Sequence, residues 1–122
     1  MNYEMLNDML IQNVPELKQA YLKELEWWDG EQPGAHNIFG DVLNPYLIER
    51  LDQMDDEKVL KRIFNFLESM ALSEDEKVKE VLTCTVLERL GDDTKILERA
   101  EAFMGENTKK LSQDVEKGLG RL

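Results

Sequence analysis

The chain has little of what most catalytic sites are built from. Histidine occurs once, at His36, and cysteine once, at Cys84. One cysteine excludes an internal disulfide. One histidine, in a stretch with no triad context, leaves no Glu-x-x-His pair of the kind that carboxylate-bridged di-iron bundles use. Gly-x-Ser-x-Gly, a phosphate loop and Cys-x-x-Cys are all missing. No enzyme, cofactor or metal site is expected on these grounds. Long apolar runs are missing too: nothing approaches the ~18 residues that span a bilayer. The opening "MNYEMLNDML" lacks a basic segment followed by an apolar one, so it is no secretory signal, and a cytoplasmic location is expected. Positive charge is scarce. Fifteen Lys and Arg face 26 Asp and Glu, a net charge of −11. Such a surface repels phosphate backbones and anionic lipid, which argues against nucleic-acid and membrane partners. A macromolecule attracted to it at long range is basic; the same charge also serves solubility.

What the sequence has in quantity is helical periodicity. Apolar residues make up 42% and charged residues 34% of 122 positions, enough for a packed core under a solvated surface. The length fits one domain, residues 1–122, since ~100–200 residues per domain is usual. Tyr3, Leu6 and Leu10 share one face of a first helix. Asn13 and Pro15 read as the cap and early proline of a second, whose face carries Leu17, Tyr21, Leu25 and Trp28. "DGEQPGAHN", from Asp29 to Asn37, breaks the pattern as a loop. After the short apolar "IFGDVL", Asn44 with Pro45 reads as the start of another helix.

Two stretches then nearly repeat: "DDEKVLKRIFNFLESM" from Asp55 and "EDEKVKEVLTCTVLERL" from Glu74. Each is one helix plus a short turn, and helices joined by a few residues lie antiparallel. The first has an apolar stripe broad enough to meet neighbours on two sides. Ser73 and Glu76 read as a capping box, and Gly91 as a left-handed terminator of the second helix. "TCTV" has strand propensity, which the surrounding 3.6-residue period outweighs. Asp93 starts a further helix, Gly105 ends it, and a last one runs from about Asn107 toward a fraying "KGLGRL". The expected fold is all-α: a compact antiparallel multi-helix bundle, with HEAT- or armadillo-like stacking of helix hairpins as a variant.

Four groups of residues bear on function. Acidic clusters at Asp55–Glu57, Glu74–Glu76 and Asp92–Asp93 sit at helix starts, where carboxylates cap orphan amides. Antiparallel succession puts the first and third at one end, where a shared acidic docking edge is the functional alternative to simple capping. Glu49, Glu68, Glu88 and Glu98 each follow an apolar pair, and are expected to pair with arginines such as Arg50, Arg89 and Arg99. Cys84, inside the apolar pattern, is expected in the core. Trp27 and Trp28 are adjacent and so point about 100° apart on a helix. Trp28 continues the Tyr21 face; Trp27 either packs under the following loop or stands exposed as a binding anchor.

The segments "HNIFGDVLNPYL", "FLESMA", "DEKVKEVLTCTVLERLGDD" and "AFMGENTKKL" resemble a family of small, acidic, uncharacterised bacterial domains, across roughly Val14 to Leu111. The resemblance implies an all-helical fold and brings no activity and no catalytic residues. In size and charge the chain is also similar to immunity proteins of bacterial toxin systems. The expected function is that of a non-enzymatic protein-binding domain, of immunity or antitoxin type, for a basic protein partner. The residues expected to touch it are Trp27, Asp41, Asp55, Asp56, Asp92 and Asp93. The alternative is a helical-repeat scaffold or regulatory protein unrelated to toxins, which binds through an apolar groove.

Overall fold

The periodic segments become seven helices and no strand in the computed structural model, which describes residues 1–122. Helix α1 is a 3-10 turn, Tyr3–Met5, running into Leu6–Asn13. Helix α2 is a 3-10 turn, Pro15–Leu17, running into Lys18–Trp27. Helix α3 joins Ala35–Ile38, a π-helical segment Phe39–Leu43, and Asn44–Gln53. Helix α4 is Glu57–Ala71. Helix α5 joins Glu76–Glu80, a π-helical segment Val81–Leu87, and Glu88–Leu90. Helices α6 and α7 are Thr94–Glu101 and Glu106–Gly118.

The broad stripe on α4 explains the packing. Val59, Leu60, Ile63, Phe64, Phe66, Leu67, Met70 and Ala71 are all buried. Covering so wide a face takes several neighbours, and α1, α3, α5 and α7 all pack against α4. Phe66 stacks on Phe39 with ring centres 6.3 Å apart, and Phe64 on Phe103 at 6.0 Å. The 28 buried apolar side chains form one cluster. Contacts of α4 with α1 and α7, far apart in sequence, close the helices into a bundle.

Several helix ends differ from their expected form. Asn44 caps nothing: α3 runs unbroken through it. The reason is Pro45, which has no N–H and whose ring would strike the carbonyl four residues back in a regular helix. The chain widens ahead of it, and the Asn44 N–H donates to the Phe39 carbonyl, five residues back. The buried Asn44 amide then donates to the Thr85 carbonyl at 3.0 Å. Thr85 lies in the second π segment, where the Glu88 N–H reaches Thr83, so the two widened turns meet. "TCTV" is thus helical, in a turn that holds four β-branched residues, Val81, Thr83, Thr85 and Val86.

Asn13 does not cap α2; its side chain donates back to the Met9 carbonyl at 2.8 Å. The cap of α5 falls on Asp75, which accepts from the Lys77 N–H at 3.0 Å, while Ser73 accepts from the Asp75 N–H. Asp56 and Asp93 cap α4 and α6 as expected, accepting from Val59 and from Lys95 and Ile96. Gly91 is not left-handed (φ −75°). A Cβ there would lie 2.5 Å from Glu116 Oε2, so glycine is set by side-chain crowding. Gly105 begins α7 rather than ending α6, and its Cβ would lie 2.5 Å from the Glu68 carboxyl carbon.

Candidate interaction surface

Helix α2 is the least covered element. From Lys18 to Trp27 it buries no residue. Tyr21, Leu25 and Trp28 turn toward the body and are half-buried. The 100° step then carries Trp27 outward: it is 83% exposed, and Leu22 is 51% exposed. Packing of Trp27 under the following loop does not occur. Trp28 is held by a hydrogen bond from its Nε1 to Glu24 Oε2 at 3.3 Å, one helical turn away. Glu24, Trp27 and Trp28 line a shallow, open depression. Glu24, Glu26, Asp29 and Glu31 flank the tryptophans, with Lys23 the one cation between Gln19 and Glu31. Asp41 is exposed on the π segment of α3, which packs against α2.

The other four expected carboxylates gather where α3 ends and α6 begins. Arg99 donates to the Leu51 and Asp52 carbonyls, and Lys95 lies 3.9 Å from Asp52, tying the two helices there. Each carboxylate at this corner has an internal partner. Asp55 pairs with Arg50 at 3.0 Å, Asp56 and Asp93 cap their helices, and Asp92 pairs with Arg121 at 2.9 Å. The structure therefore does not join the six expected residues into one patch: Trp27 stands on α2, Asp41 on the neighbouring segment of α3, and the other four at another corner.

The glutamate series also resolves differently from expectation. Only Glu49 pairs with an expected arginine, Arg50, at 3.2 Å. Arg89 turns to Asp92 and Arg99 to backbone carbonyls. Glu68 caps α7 instead. Its oxygens accept from the Asn107 and Thr108 N–H groups, the Asn107 amide and the Thr108 hydroxyl at 2.7–3.1 Å. Burial is the largest single influence on its carboxyl and pushes the pKa up. The four hydrogen bonds together outweigh it and bring the pKa to about 2. Cys84 is exposed, not in the core: it lies about 120° around the helix from the centre of the Val78, Val81 and Leu82 stripe. His36 lies in the first turn of α3 rather than in a loop, with Nδ1 2.6 Å from Thr85 Oγ1. Nowhere do three or more His, Cys, Asp or Glu side chains converge as a metal ion requires. No helix is long and apolar enough to cross a membrane.

A feature missed in the sequence is the anchoring of "KGLGRL", which does not fray. Gly120 is left-handed (φ +71°), its N–H donates to Lys117 at 3.1 Å, and the Arg121 N–H donates to Glu116 at 2.8 Å. This glycine-centred turn folds the chain back on its own helix. Glycine two residues past the last polar turn was the available signal.

Neither the curated proteins nor the solved structures return a match to the chain. A family described as "Domain of unknown function (DUF7674)" matches residues 7–120, from α1 to the Gly120 turn. That match takes in six helices whole and α1 from Asn7 onward, and the chain belongs to this family.

Proposed function

We propose that the chain is a protein-binding module, not an enzyme, and that it receives a basic partner on the Trp27–Trp28 face of α2. The observation that carries this reading is a ten-residue helix with no buried residue and a tryptophan 83% exposed at its end. An exposed tryptophan that a partner can cover is the kind of side chain that anchors protein interfaces. The carboxylates around it favour a partner carrying Lys or Arg, and a cation over an indole face adds to the attraction. An immunity-type role is the form this takes if the partner is a basic toxin.

The test is capture from native lysate on wild-type and Trp27→Ala chains, at low and high salt, with the partner identified by mass. A basic protein retained by wild type, lost with Trp27→Ala and weakened by salt supports the reading. An acidic partner, or one retained equally by Trp27→Ala, overturns it.

A further inference from the structure

We propose that the corner where the ends of α5 and α7 meet is a receptor for a guanidinium group. Here it is filled by the chain's own Arg121, and it opens to an arginine side chain of another protein when the Arg121 side chain swings away. The proposal is independent of the Trp27 face.

Four hydrogen bonds hold the Arg121 side chain. Nε and Nη2 both donate to Glu116 Oε2, at 3.0 and 2.6 Å. Nη1 donates to Asp92 Oδ1 at 2.9 Å, and Nη2 to the Glu88 carbonyl at 3.1 Å. The planar fork sets two nitrogens, Nε and Nη2, on one Glu116 oxygen while Nη1 reaches Asp92; an ammonium, with all its donors on one nitrogen, does not reproduce that spread. Burial is uneven across the pair. The Glu116 side chain is 7% exposed and that of Arg121 is 30% exposed. The anion belongs to the body of the bundle and the cation is the part that can leave.

Room for the cation is built into the chain. A Cβ at Gly91 would lie 2.5 Å from Glu116 Oε2 and 2.6 Å from Arg121 Nη2. Beside the guanidinium lies a cleft of about 480 Å³, lined in part by Glu98, Glu101 and Leu97. The exposed Glu98 and Glu101 extend the negative lining outward, with Lys109 the one cation of the cleft besides Arg121, so the lining keeps a net negative charge toward an incoming basic segment. Besides the side chain, the segment is held by its backbone turn, in which the Arg121 N–H donates to the Glu116 carbonyl at 2.8 Å. An arginine arriving from outside replaces the four side-chain hydrogen bonds like for like, and only the side chain of Arg121 has to swing away for it to enter. A buried carboxylate left without its cation is costly, so the site favours exchange over vacancy.

The experiment uses the full chain as wild type, Arg121→Ala and Arg121→Lys. Methylguanidinium and methylammonium chloride are titrated at constant ionic strength, and the Gly91 and Asp92 amide shifts are followed by NMR. Methylguanidinium is expected to bind both variants saturably, about tenfold or more tightly than wild type, because the internal competitor is gone. Methylammonium is expected to bind neither, and adding Glu116→Gln to Arg121→Ala is expected to abolish binding. Arg121→Lys keeps the test open if Arg121→Ala folds poorly. Acetyl-Arg-Leu-amide is expected to displace methylguanidinium from Arg121→Ala. No saturable shift in either variant, equal response to methylammonium, or equal affinity in wild type overturns the receptor. A peptide that fails to compete overturns its use by another chain.

Discussion

Replacing Glu68 by Gln tests how α7 is fastened to the bundle. In the native chain one carboxylate accepts four hydrogen bonds at the first turn of α7, where the helix dipole also favours negative charge. Glutamine offers one acceptor oxygen and turns an NH₂ toward groups that are themselves donors. The magnitude follows from the pKa, lowered from 4.5 to about 2. A difference of about 2.5 units at ~1.36 kcal/mol each is ~3.4 kcal/mol, and partial exposure of Glu68 trims this to roughly 2–3 kcal/mol. The folded pKa lies below the unfolded one. The contribution is therefore complete above about pH 5.5 and is lost as pH falls through 4.5 toward 2, with less than half left near pH 3. Urea unfolding of both chains at a series of pH values reads it directly. At neutral pH the loss corresponds to a Tm lower by roughly 6–12 °C for a domain of this size. A difference below about 0.5 kcal/mol at neutral pH refutes the reasoning. So does a larger one that does not shrink in acid, since the effect is then one of shape and not charge.

Three further outcomes follow from neighbouring geometry. Gly105→Ala places a Cβ 2.5 Å from the Glu68 carboxyl carbon, and is expected to cost about 1–3 kcal/mol, less in a Glu68→Ala background where the crowding is gone. Equal losses in both backgrounds, read by the same urea curves, count against the contact. Met54 is left-handed (φ 52°) at the end of α3 and 55% exposed, so Met54→Gly is expected to stabilise by ~1 kcal/mol; a lower Tm contradicts this. Cys84 is exposed, and a chromogenic disulfide reagent is expected to titrate one thiol in the native protein without denaturant; a thiol that reacts only after unfolding places Cys84 back in the core.

The parts of the fold legible in sequence are those set by neighbours within one or two turns. The eight apolar positions of α4 follow a local period, and Asp56 and Asp93 cap through amides three residues away or fewer. The parts that were not legible depend on residues far along the chain. Gly91 does end α5, as it reads, but it is not left-handed, and what requires glycine there is crowding by Glu116 and Arg121. Gly105 reads the same way and is set by Glu68. Asn44-Pro45 has the form of a helix start. The π segment ahead of it lets α3 continue, and the buried Asn44 amide finds its partner 41 residues on, at Thr85. Local rules see the glycine or the proline; they do not see what stands opposite.

The candidate surface divides along the same line. The angular argument that separates Trp27 from Trp28 needs only the helix, and it places one outward and one inward. The acidic runs are a different matter. Asp55, Asp56, Asp92 and Asp93 look most like a docking edge in sequence because they are adjacent, yet adjacency at a helix start is what makes them caps and ion-pair partners. A carboxylate that already accepts an amide or a guanidinium has less to offer a partner, since breaking that bond subtracts from any bond gained. On the proposal that a basic protein docks at α2, the charge it would meet comes instead from scattered residues, Glu26, Asp29, Glu31 and Asp41, for which no ion pair within the chain competes. At the α5–α7 corner the same logic runs in reverse. There the internal bond is to a partly exposed arginine side chain rather than to a helix amide, so a second guanidinium can take its place bond for bond, and Glu116, which accepts from two of its nitrogens, is the carboxylate placed to receive it.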